Sequence, residues 1–257
     1  MKEVKSIGNI LKRLPGQSLR ERRYQLFDEQ ISDPLVMVLM GFVIFVIECL
    51  HVFGKIVPSV CMGAVIFVLS LGVAIWKIRR WRRLRESYRR GEEGERLVAQ
   101  AIEHDLLPQG YEVFHDLQLE KDGRTFNIDH LLIGENGVFA IETKNYTKPK
   151  KGSPEVRYDG EKLVWAGKKR TSDEEIAQAK SAATSAKNLI EEVSGLKVFV
   201  KPVLCVVGWF VQSSNVYGHP VLLTMEKTLG SVIPKVECNK PLSGEERKKI
   251  VAALKRL

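Results

Sequence analysis

A chain of 257 residues with a net charge of +9 and a pI near 9.3 invites a search for a polyanionic partner. The placement of that charge excludes a broadly basic binding domain: residues 91–257 carry 24 Lys and Arg against 24 Asp and Glu, whereas residues 77–90 carry 8 against 1. Cys49, Cys61, Cys205 and Cys238 have neither CxxC nor Cys/His spacing, which argues against a zinc module or a disulfide framework and for free thiols.

Residues 1–33 read as a polar, cytoplasmic amino-terminal segment. Val4, Ile7, Ile10, Leu11 and Leu14 fall on one helical face, suited either to a membrane surface or to packing on the protein itself. Pro15-Gly16 ends that run.

Two apolar runs follow, at 34–53 and 57–76, each long enough to cross a hydrocarbon layer of ~30 Å. The first starts too late and lacks the exit of a cleaved signal peptide. Together they read as a two-helix transmembrane hairpin. Glu48 is the one ionisable residue well inside either run, and it is read as a snorkelling side chain or a functional intramembrane carboxylate.

The basic segment 77–90 directly follows the second run. By the positive-inside rule it stays in the cytoplasm, which places both termini there and fits a multi-pass protein of a bacterial cytoplasmic membrane. Its arginines suit anionic lipid headgroups, and they also suit nucleic-acid phosphate.

From Gly91 the pattern is that of an α/β domain extending to Leu257. A helix is expected over 92–107 from the spacing of Leu97, Val98, Ala101, Ile102 and Leu106. Strands are expected at 111–119, 127–133 and 138–144, with turns at Asp122-Gly123 and Glu135-Asn136-Gly137. A strand at 162–166, a helix over 172–193, strands at 199–207 and 217–223 and a closing helix over 244–257 complete a mixed sheet with flanking helices. Asp116 reads as a turn residue, with an outer acid of the site as the alternative.

The stretch 127–146 concentrates chemistry. Asp129 and Glu142 fall on neighbouring strands, and period-2 alternation puts Glu142 and Lys144 on one face. Two carboxylates and an amine inside apolar strands are costly unless something compensates them. A hard divalent cation such as Mg²⁺ does so, since it is typically held by one or two carboxylates plus water and phosphate. His130 is expected to point to the opposite face from Asp129.

This Asp…Glu-x-Lys arrangement resembles the PD-(D/E)XK nuclease superfamily. Gly91-Glu92-Glu93-Gly94-Glu95, Ile128-Asp129-His130-Leu131, Gly137-Val138-Phe139, Ile141-Glu142-Thr143-Lys144, the 159–165 strand and Gln178 together resemble the nuclease-related domain (NERD), over roughly 91–210. The resemblance implies a restriction-endonuclease-like fold and a phosphodiesterase site that uses Mg²⁺ or Mn²⁺. Asp129, Glu142 and the Thr143 carbonyl would hold the metal, with Glu95 either a further ligand or an exposed acid complementing its helix dipole. Lys144 would orient water or stabilise the transition state, and Gln178 would assist. Where the superfamily motif carries proline, this chain has Ile128.

The expected function is a membrane-anchored nuclease acting on nucleic acid, with DNA the expected partner. The alternative is a catalytically silent nucleic-acid-binding or scaffold protein on the same fold. A channel role is weaker, because two nearly uncharged helices offer no permeation path. Lys148, Lys150 and Lys151, with Lys168, Lys169 and Arg170, are read as phosphate-positioning loops or as ordinary hydrophilic ones.

Overall fold

A computed structural model describes residues 5–6, 13–27, 31–53, 60–121, 124–166, 173–213, 218–236 and 241–257. Backbone contacts divide the chain into two units, Leu19–Arg89 and the combination of Met1–Ser18 with Arg90–Leu257.

The first unit holds most of helix α1 (Gln17–Phe27), all of α2 (Asp33–Phe53) and the residues of α3 (Val60–Asp105) up to Arg89. Within α2, Asp33–Leu50 is long and apolar enough to cross a membrane, with a mean hydropathy of 2.2. Its side chains Leu35, Leu39 and Met40 are exposed, as are Val68 and Leu69 of α3. The two helices meet through small and aromatic residues. Phe67 lies against Phe42 and Phe45, and Gly41 leaves room for Ser70, whose Oγ stands only 3.0 Å from where a Cβ would be.

Of the two apolar runs expected from the sequence, only the first meets that length and composition among the described residues. The link at 54–59 lies outside them, and residues 60–76 are helical as the start of α3. Residues 77–90 are helical too, being rich in Arg and free of Pro. There Arg80 lies over Trp76, Arg85 over Trp81, and Phe27 packs edge-on against Trp81.

In the second unit the strands are β1 (Lys5–Ser6), β2 (Glu112–Lys121), β3 (Arg124–Gly134), β4 (Gly137–Lys144), β5 (Glu155–Tyr158), β6 (Leu163–Trp165), β7 (Val200–Val206), β8 (Phe210–Ser213) and β9 (Leu222–Thr224). The main sheet runs β1-β2-β3-β4-β7-β9. It is antiparallel from β1 to β4 and parallel from β4 to β9. A smaller sheet runs β6-β5-β8.

Helices α4 (Glu174–Ser194) and α6 (Gly244–Leu254) cover one face of the main sheet. There Ala183, Ala186, Leu189 and Ile250 meet Leu131, Ile133, Val138 and Ala140. The other face takes α3 and the short α5 (Leu229–Val232), with Val98, Ile102 and Leu229 against Leu132, Phe139 and Ile141. Alternation along β3 and β4 thus feeds two cores, and β4 is covered on both sides.

The expected mixed sheet with flanking helices is therefore present. Several details differ from the sequence reading. Lys5–Ser6 pair as an edge strand with Leu119 and Glu120, where a helical face was expected; residues 7–12 of that run lie outside the described ones. β5 and β8 were not anticipated, because strands of four residues carry almost no periodicity. Asp116 is no turn residue: it lies within β2, fully buried, with φ of 49°.

The β3–β4 hairpin yields a packing test. A Cβ on Gly134 would fall 2.2 Å from Tyr111 Cε1, and the ring is pinned because its hydroxyl donates to Asn136 Oδ1 at 2.7 Å. Asn136 in turn donates to the carbonyls of Ile233 and Val236. Gly134→Ala is expected to cost about 1–3 kcal/mol in denaturant unfolding; an unchanged midpoint would show that the ring gives way freely.

Candidate functional site

The site begins where the β3–β4 ladder ends. The last pair on the side away from the turn is His130 with Ile141, and beyond it the Thr143 N–H donates to the Asp129 carboxylate, Oδ2, at 2.8 Å. A side chain thus takes the amide that a strand neighbour would otherwise receive. Because a strand residue presents its N–H and C=O to the same neighbour, the Thr143 carbonyl faces the Asp129 edge as well. Two residues apart on β4, Lys144 Nζ and Glu142 Oε1 form a 2.6 Å ion pair with both side chains largely buried.

Glu95 reaches this edge from α3. Helix and strand approach closely because residue 94 is glycine: a Cβ there would meet Asn145 Cβ at 2.7 Å. Asn145 Nδ2 donates to the Arg90 carbonyl at 2.9 Å, and the Arg90 guanidinium bonds the Thr147 hydroxyl. Glu95 is only 4% exposed, and its Oε2 accepts the Gly16 N–H at 2.9 Å.

Burial raises the Glu95 carboxyl well above its ordinary range, and the charges of Asp129 and Asp116 raise it further; the Gly16 amide partly opposes this. Asp129 is likewise raised, by burial and then by Glu142, against the Thr143 amide and Lys144. Burial pulls Lys144 down, yet Glu142, with Asp129 and Glu175, more than compensates, so its ammonium is held above the ordinary lysine value. Asp129, Glu142, Lys144 and Glu95 are thus brought within electrostatic reach of one another.

Gln178 is placed differently. It is exposed on α4, and its Nε2 donates to Glu174 Oε1 at 3.4 Å, one helical turn away. Nothing joins it to the carboxylates among the described residues. His130 makes no hydrogen bond to the carboxylates among the described residues: it is fully buried and shares a 2.7 Å Nδ1–Nδ1 hydrogen bond with His115. Burial lowers both imidazoles, His115 to about 4, so the pair is neutral at pH 7. Lys148 and Lys150 are exposed beyond β4, while residues 167–172 with the second basic cluster lie outside the described ones.

Two residues near the site are placed differently from the preferred sequence reading. Glu175 reads as a first-turn acid, but it is 7% exposed, accepts the Tyr146 hydroxyl at 2.8 Å and acts on Lys144. The signal was present: 175, 179, 182 and 186 share one helical face with the buried alanines. Asp116, an acid within an apolar strand, accepts Arg13 and Ser18 from the amino-terminal segment.

The donor set suits a hard divalent cation, for it is all oxygen. Besides the carboxylates, Asn127 Oδ1 and Thr143 Oγ1 are buried with no hydrogen-bond partner among the described residues, and Asn127 Nδ2 stands 3.5 Å from Asp129 Oδ1. Among the described residues, no three His, Cys, Asp or Glu side chains converge tightly enough to hold a metal by themselves.

With that geometry in place, the family comparison is informative: residues 90–207 match the family model of the nuclease-related domain. The matched segment is similar to nuclease-related domains and has their nuclease-like mixed α/β fold. An uncharacterized protein of Bacillus anthracis is 43% identical over 58 residues, 22% of this chain and 27% of that protein's length. The chain therefore spans only about a quarter of that relative.

The raised carboxyls make a signed prediction for the metal-free chain. A carboxyl held above its ordinary range favours folding while protonated, so its stabilisation is complete below about pH 4 and is lost as pH rises through the raised value. Asp129→Asn keeps an acceptor for the Thr143 amide and removes the charge. In chelator at pH 7.5 it is expected to unfold about 1–3 kcal/mol later than the parent chain, the gap narrowing as pH falls. A destabilised variant would contradict the repulsion.

Proposed function

We propose that this chain is a membrane-anchored, metal-dependent nuclease that hydrolyses nucleic-acid phosphodiester bonds, DNA foremost, on the cytoplasmic side of the membrane. One observation carries the reading: Asp129, Glu142 and Lys144, with Glu95 beside them, gather where the β3–β4 ladder ends in the segment that matches the nuclease-related domain. Asp129, Glu142 and the Thr143 carbonyl are the proposed holders of Mg²⁺ or Mn²⁺, with Glu95 completing the set.

A bound cation of this kind supplies Lewis-acid stabilisation of phosphoryl oxygens and eases deprotonation of water. The chain's own residues do the positioning. Glu142 fixes the Lys144 ammonium through the 2.6 Å pair, so its remaining N–H donors are free to orient water or meet charge developing on phosphate. Glu175 steadies the same ammonium from α4. Lys148, Lys150 and Lys151 supply exposed positive charge next to β4 for sequence-independent contacts with the backbone of the substrate. Gln178, exposed on α4, is assigned to substrate contact rather than to the carboxylates.

The anchor is α2, with the apolar start of α3 as the second crossing of a hairpin and the arginines of 77–90 as its cytoplasmic stop and lipid contact. A catalytically silent binding protein on the same fold is the second reading. That no three His, Cys, Asp or Glu side chains among the described residues are preassembled around a metal position favours it.

Cleavage of DNA and RNA by the full chain in detergent, with Mg²⁺, Mn²⁺ or chelator, separates the two. Glu142→Ala and Lys144→Ala are each expected to lower metal-dependent cleavage by about 100-fold or more. Undiminished metal-dependent activity in both would overturn the assignment, and binding without cleavage in any metal would favour the silent reading.

A further inference from the structure

A segment far upstream of the matched domain is bonded to one of its carboxylates. Residues 13–18 lie about 80 residues before α3's Glu95 in sequence, yet the Gly16 N–H donates to Glu95 Oε2 at 2.9 Å in a buried position. The turn fits only because residue 16 is glycine. Its φ is +71°, and a Cβ would stand 3.0 Å from both Cα and Cγ of Glu92.

The segment is clamped next to that contact. Asp116 accepts Arg13 NH2 at 2.8 Å and Arg13 Nε at 3.0 Å on one oxygen, which also takes the Ser18 N–H at 2.9 Å; its other oxygen takes the Ser18 hydroxyl at 2.5 Å. The Asp116 carbonyl accepts Arg13 Nε as well. Asp116 is fully buried and adopts φ of 49°, a conformation that a non-glycine residue holds only when its surroundings determine it. Four donors from the segment provide that determination.

We propose that residues 13–18 are a positioning arm of the candidate site, in which the clamp on Asp116 holds the Gly16 amide against Glu95 and so fixes that carboxylate for the cation. The proposal rests on the metal-site reading above and adds to it a part supplied from outside the matched segment. The arm restrains without plugging: an ionised carboxylate has about four lone-pair sites, and one amide uses one of them. Among the described residues, the arm makes no bond to Asp129 or Glu142. Outer partners of this kind orient ligands and are worth about 10–100-fold in metal affinity.

The test uses the full chain in detergent with two readouts. In the metal-free protein the Gly16 and Ser18 amides are expected to be protected from hydrogen exchange and to lose protection in Arg13→Ala, while the amides of β2 and α3 stay protected. Freely exchanging arm amides in the parent would overturn the proposal without touching the metal-site reading.

Mn²⁺ titration followed by electron paramagnetic resonance is the second readout. Arg13→Ala and Gly16→Ala are expected to weaken Mn²⁺ binding about tenfold or more, and Arg13→Lys to retain part of the affinity. In a Glu95→Gln background the same changes are expected to cause no further loss. Unchanged or tighter binding in Arg13→Ala, or equal losses in both backgrounds, would overturn the arm's role. No Mn²⁺ binding by the unmodified chain would sink the metal-site reading, and this proposal with it, before any variant is made.

Discussion

Like charges gathered out of water set the terms for this domain. Two carboxylates about 4 Å apart at an effective dielectric near 20 repel by about 4 kcal/mol. A domain's whole stability is only about 5–15 kcal/mol. Asp129, Glu142 and Glu95 are nevertheless held together where the β3–β4 ladder ends, and the local structure is organised to tolerate them. The Thr143 amide is diverted from the ladder to Asp129, the Gly16 amide meets Glu95, and Lys144 pairs with Glu142. Such partial compensation leaves the Asp129 and Glu95 carboxyls raised, and a divalent cation would complete it.

The positions of these groups follow from close packing more than from loops. Gly94 lets α3 approach Asn145 at the end of β4, which brings Glu95 to the strand edge. The antiparallel register of β3 on β4 places Asp129 beside Thr143, and the parallel pairing of β4 with β7 covers the strand's other side. α4 supplies Glu175 to Lys144 from the opposite face to α3. Carboxylates therefore arrive from a hairpin and from the helices on both faces, which explains why the end of the β3–β4 ladder accumulates so much buried charge.

The parts legible in the sequence are those governed by periodicity. β3, β4 and α4 have largely clear period-2 or helical patterns; strand alternation puts Glu142 and Lys144 on one face, and the turn brings Asp129 onto the neighbouring strand. Contacts made across long separations were not legible. Arg13 and Asp116 are 103 residues apart, and nothing in either neighbourhood announces the pair. The alternation itself fails near Asp116 and Asp129: Phe114 and Leu117 enter the same core, as do Ile128 and Leu131. Gln178 shows the converse limit, for a motif match fixes a residue's place along a helix, while helix rotation decides what it meets. Glu175 could have been found from its helical face, had its position next to the alanine stripe outweighed its charge.

The most direct measurement is a crystal structure of the chain grown with Mn²⁺, with anomalous scattering used to locate the ion. The account predicts a peak between the carboxylates of Asp129 and Glu142, within coordinating distance of the Thr143 carbonyl. Saturating Mn²⁺ with no peak there, or with the ion held elsewhere in the domain, would contradict the claim that this carboxylate cluster is built for a cation.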